Sequence, residues 1–137
     1  MTKKITALVL SLVMIFSCMV ASAGVVSGSG TTNGGTLGKT AVSATMTYTN
    51  STSAGGDKTA GKTESDAAGS LGVMPVIWYT GPKGNGSNSD SVIKPNTRSV
   101  STSVKAPSAS HGYKSTSGHN YVSDNYGSWG KGLSYTF

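Results

Sequence analysis

The sequence predicts an all-β protein: a small antiparallel β-sandwich preceded by a cleavable signal peptide and a flexible Gly/Ser leader. Three observations lead there. Ser and Thr make up 40 of the 137 residues and Gly another 19. That composition disfavours long helices, because Gly loses backbone entropy and the hydroxyls compete for helix hydrogen bonds. Several short stretches alternate apolar and polar residues with period two, as half-buried strands require. Breaks rich in Gly, Pro and Asn separate them.

Residues 1–23 read as the signal peptide. Lys3 and Lys4 form a positive start, Ile5 to Val20 is a mostly apolar run without charge, and Ala21-Ser22-Ala23 puts small residues where cleavage before Gly24 needs them. The small-residue exit favours clipping after Ala23 over a retained anchor. A lipoprotein with Cys18 acylated is a further alternative, which the bulky Phe16 fits poorly. The expected location is therefore extracellular, with the membrane met only through the signal peptide. Cys18 is the only cysteine, so the clipped chain has neither a disulfide framework nor a cysteine zinc site to support it.

From Gly24 onward, 114 residues carry 16 Val, Leu, Ile and Met side chains and 9 aromatic ones. So thin a core excludes a large enzyme core and a multi-span membrane protein. The same stretch holds nine basic and five acidic residues, a net charge of +4. Its lysines and Arg98 are scattered, a weak footprint for nucleic acid, and no nucleic-acid partner is expected. A modest positive charge suits an anionic cell envelope, and it also serves plain solubility.

Residues 24–38, with six glycines, read as the flexible leader, and residues 39–137 as one domain. Residues 39–49 are the clearest strand, with Val42, Ala44, Met46 and Tyr48 on one face and Ser43, Thr45, Thr47 and Thr49 on the other. Residues 50–72 read as a long loop with a short helical turn near Glu64 to Ala68. Residues 73–80 are the most apolar segment and read as a buried strand whose Pro75 belongs at an edge or a strand start. After the turn-rich break at 81–86, Ser91 to Lys94 suggests a short strand, and residues 98–106 alternate again with Val100, Val104 and Ala106 on one face. Leu133, Tyr135 and Phe137 share one face, so the chain should end as a paired strand. A faint echo between residues 39–43 and 98–102 is weak support for an internal duplication, since Ser- and Thr-rich chains generate such echoes easily.

Residues 56–63 match the phosphate-loop pattern G-x-x-x-x-G-K-T, with Lys62 and Thr63 in the ligand-binding positions. The context opposes the match, because no buried strand precedes it and Gly69 and Gly72 follow closely. His111 and His119, with Asp124 nearby in sequence, outline a conceivable metal site, and two histidines in a Gly/Ser-rich stretch read more readily as surface residues. No G-x-S-x-G elbow singles out a nucleophile. No catalytic residue, metal or cofactor is expected.

The aromatic C-terminal third is the better candidate. Tyr113, Tyr121, Tyr126, Trp129 and Tyr135, interleaved with Lys114 and Lys131, offer flat apolar faces with polar edges and positive charge, which suit a wall precursor or a glycan. The competing reading is that a core short of aliphatics is filled with aromatics.

The Ser/Val alternation from Arg98 to Val104 and the Trp-Gly-Lys-bearing end from Trp129 to Phe137, on a short, basic, cysteine-free exported body, resemble the lactococcin-like β-sandwich bacteriocins over residues 91–137. The resemblance implies an antibacterial protein that acts at the cell envelope by binding a wall precursor, without pore formation or catalysis. The rival expectations are a surface, matrix or glycan-binding β-protein and, less favoured, an exported hydrolase built on His111 and His119.

Overall fold

A computed structural model describes residues 22–137. The signal-peptide expectation and Cys18 thus fall, except for Ser22 and Ala23, outside the described residues. Seven strands follow in chain order: β1 (Ser22–Thr31), β2 (Ala41–Asn50), β3 (Lys58–Gly81), β4 (Gly84–Ser89), β5 (Val92–Lys105), β6 (His111–Ser123) and β7 (Gly127–Thr136). All pair antiparallel in one sheet of order β1-β2-β3-β6-β7, with β4 and β5 also on β3. The all-β antiparallel expectation holds. In place of two separate sheets, one continuous sheet curls into a half-barrel.

The 24-residue strand β3 makes the curl. Its first half lies between β2 and the second half of β5, with Ala44↔Thr63 and Thr63↔Val100 in register. Its second half lies beside β6, and beside β5 and then β4 on pairs such as Val73↔Val92 and Trp78↔Ser87. Between Glu64 and Gly69 the pairing with β5 shifts, and the strand turns a corner there. Beyond the corner the two limbs face each other so closely that a Cβ on Gly61 would lie 2.5 Å from Val73 Cγ2.

Inward residues alternate strictly. Val42, Ala44 and Met46 from β2, Leu71, Val73 and Ile77 from β3, Val100 from β5, Tyr121 from β6 and Leu133 from β7 are buried. They form two apolar clusters, one around Val42, Leu71, Val73, Val100 and Tyr121 and the other around Ala44, Met46 and Leu133, and Trp129 packs against both. The free edges of β1 and β7 are clasped at one end. The Asn33 amide donates to Ser128 O at 3.0 Å, the Ser128 amide to Asn33 Oδ1 at 2.7 Å and the Leu37 amide to Asn125 O at 2.7 Å.

Three expectations need correction. The stretch expected as a flexible leader is strand β1 through Thr31, paired residue by residue with β2. Its inward positions are Gly24, Val26, Gly28 and Gly30, and the space over the glycines is taken by Tyr48 from the neighbouring β2 and by Lys131 and Trp129 of β7 from across the half-barrel. The loop and helical turn expected over 50–72 are strand from Lys58 onward, and the described residues contain no helix. Their inward side carries Thr59, Gly61 and Thr63, so no hydrophobic alternation marks them. Pro75 sits inside β3, opposite Ser117, at the point where β5 gives way to β4, so its missing amide hydrogen interrupts no ladder on that side. The expected strands at 39–49, 73–80 and 98–106 and the paired C-terminal end are present within β2, β3, β5 and β7.

Gly61→Ala is expected to cost about 1–3 kcal/mol, because its methyl group must force the limbs apart. Gly118→Ala, whose Cβ would enter open space, should change stability by less than about 0.5 kcal/mol. Urea denaturation of the two variants tests this, and equal effects would contradict the close approach.

Candidate functional site

The polar side chains that enter the half-barrel are already satisfied by one another. Thr59 Oγ1 and Ser115 Oγ are 2.5 Å apart across the limbs. Thr63 Oγ1 donates to Gly72 O at 2.9 Å and lies 2.8 Å from His119 Nδ1. Ser117 Oγ lies 2.6 Å from His119 Nε2. Since the Thr63 proton is committed to Gly72, His119 must donate from Nδ1 and accept from Ser117 at Nε2, the neutral Nδ1–H tautomer. Burial holds His119 neutral and lowers its pKa from 6.5 to about 4. Among the described residues no buried side-chain polar atom lacks a partner.

Ser117, His119 and Thr63 thus touch in the order of a nucleophile, base and orienting group. All three are buried, and the third member is a neutral threonine that cannot stabilise an imidazolium as a carboxylate does. The arrangement stitches the two limbs together. The phosphate-loop match meets a similar fate. Lys58 to Thr63 is extended strand, with Thr63 turned inward to His119 and Lys62 Nζ paired to Glu64 Oε1 at 2.6 Å. His111 and His119 lie apart. Nδ1 of the half-exposed His111 is 3.5 Å from Asp57 Oδ2, and among the described residues no group of three potential metal ligands forms.

Asp57 organises the end of the half-barrel opposite the clasp. Fully buried, it accepts from the Ser51 amide at 2.7 Å and the Gly112 amide at 2.9 Å, and its carbonyl accepts from the Ala106 amide at 2.9 Å. These bonds fix the loop after β2 and the start of β6 beneath an aromatic group. The Tyr48 and Tyr135 rings stack at 4.0 Å with 11° between planes, and Phe137 tilts against both at 5.6 and 6.0 Å. A hydrogen bond to Tyr135, then burial, raises the Tyr48 pKa above its usual 10.0. The Phe137 amide donates to Tyr113 O at 2.9 Å, which joins Tyr113 to the same end.

The seven residues singled out in the sequence therefore divide. Tyr113 and Tyr135, each 40% exposed, belong to this aromatic end. Tyr121 is fully buried and is a core residue, its hydroxyl donating to Ala68 O at 3.3 Å. Tyr126 and Trp129 are partly buried and pack on the core. Lys131 is exposed with its stem over Gly28, and Lys114 lies on the outward face opposite Trp78. Sequence reasoning missed Tyr48 and Phe137 as members. The stack joins β2 to β7, and only the pairing of β1, β2, β3, β6 and β7 into one curled sheet brings them together.

The unfolded chain takes up a proton on His119 below about pH 6.5, and the folded chain resists until about 4, so stability must fall as pH drops through that window. The expected loss is about 2 kcal/mol, less than the full shift because solvent screens part of it. Urea midpoints at pH 7 and 4.5 measure it. His119→Gln should remove this component, and an unchanged pH slope in the variant would contradict the assignment.

Compared with protein-family models, curated proteins and solved structures, the chain matches none.

Proposed function

We propose that this is a secreted, bacteriocin-like antibacterial protein that is clipped near Ala23 and grips a component of the target's cell envelope without catalysis. The observation that carries the reading is the aromatic end. Tyr48, Tyr113, Tyr135 and Phe137 gather where β1 and β7 are not clasped, on a floor fixed by Asp57. The histidine and the hydroxyls best placed for chemistry are spent on holding the limbs. What the exterior offers a partner is flat aromatic surface and lysine charge, the means of recognition rather than of bond-breaking. Clipping after Ala23 would take only the exposed Ser22 and Ala23 from β1 and leave Gly24 opposite Tyr48. In this reading the facing limbs act as a sandwich-like body, rigid enough to present the aromatic end as one surface.

The stacked Tyr48–Tyr135 pair gives specific support to a second reading, a surface or matrix protein that binds a glycan on an exposed ring face.

Protein starting at Gly24 should inhibit the growth of related bacteria and be retained by their isolated walls. Tyr135→Ala, at a 40% exposed position, should leave the fold intact and weaken retention at least fivefold. Retention of soluble wall glycan without growth inhibition would select the second reading. A protein that neither inhibits growth nor binds walls would sink both.

A further inference from the structure

The outward face of β2, β3 and β5 carries a groove of about 350 Å³ that neither the aromatic end nor the buried row uses. Its floor is Ala60, with Thr47 on one side and Ser103 on the other in direct register. The next row is Thr45, Lys62 and Ser101, and the row on the other side is Thr49, Lys58 and Lys105. Two lysines of β3 therefore flank a short alanine, about 13 Å apart at the backbone by ordinary strand rise. Hydroxyl donors line both walls, and a third lysine stands beside Lys58. Glu64, the next outward residue of β3, pairs with Lys62 at 2.6 Å, and Asp90 accepts from Thr102 of the lining.

We propose that this groove binds a linear polyphosphate chain lying along β3. Lysine ammonium groups and hydroxyls are the donors that phosphate oxygens take. The cations form a track rather than a single convergent cradle, so one small anion cannot engage all three. The groove lining, which is Thr, Ser, Lys, Gly and Ala, offers no apolar side chain larger than Ala60 to insert into a bilayer, which favours a phosphate chain over a lipid surface. The site lies on the opposite face of the sheet from the Tyr48 and Tyr135 rings, so it goes beyond the reading above, and its failure would leave that reading standing.

The test is binding of the purified protein to long-chain inorganic polyphosphate, with orthophosphate and phosphatidylglycerol vesicles as parallel arms and circular dichroism to verify the fold. Binding to polyphosphate should weaken at least tenfold in Lys58→Ala/Lys62→Ala. It should weaken less than twofold in Lys83→Ala/Lys94→Ala, which removes the same charge elsewhere. Glu64→Gln, which frees Lys62, should tighten binding about two- to threefold. Equal weakening in the two double variants would reduce the effect to diffuse attraction and overturn the proposal. Orthophosphate binding as tightly as the polymer, binding to vesicles alone, or no binding in any arm would overturn it as well.

Discussion

A buried row of hydrogen bonds, Thr59 to Ser115 and Thr63 through His119 to Ser117, is what the rest of the molecule depends on. A sheet that folds over on itself normally closes on a thick layer of aliphatic side chains. This chain has few, and glycine at position 61 lets the limbs approach within the reach of hydroxyls and an imidazole. Each such bond contributes about 1 kcal/mol net, and leaving one partner unsatisfied in the interior costs about 1–3 kcal/mol. The row is therefore worth more as a constraint than as a sum. It admits one register of the two limbs and penalises others, and the apolar clusters on either side complete the closure.

That economy shapes the exterior. With the buried histidine and the inward hydroxyls occupied, the groups left for a partner are on the outside. They are aromatic rings gathered at one end by the convergence of β1, β2, β6 and β7, and lysines aligned by the register of β3 with β5. Both arrangements sit on paired backbone rather than on loops, so each is held by the ladder that also holds the fold. Asp57 ties the remaining loop to the start of β6, which extends that rigidity to the aromatic end.

How much of this was legible in the sequence follows from side-chain size. β2 and the C-terminal half of β3 were readable because their inward residues are Val, Met, Leu and Ile. β1 and the first half of β3 were not, because apart from Val26 their inward positions are Gly and Thr, in a pattern that reads as a loop. Tyr121 and Tyr135 look alike in sequence, yet Tyr121 is fully buried beside Gly69 and Tyr135 is exposed at a free end. Lys58, Lys62 and Lys105 appear scattered along the chain and become neighbours only through strand register. The phosphate-loop match was a coincidence of Gly, Lys and Thr in a strand whose residues alternate between the interior and that same groove.

The most direct test of the central claim is the protonation and tautomer of His119, read from imidazole nitrogen and carbon shifts by NMR across pH 7 to 3.5. The account requires a neutral ring with the proton on Nδ1 that titrates near 4. A ring that titrates at the ordinary 6.5 would mean that the imidazole is not held buried between the limbs, and the buried row would lose its place at the centre of the structure.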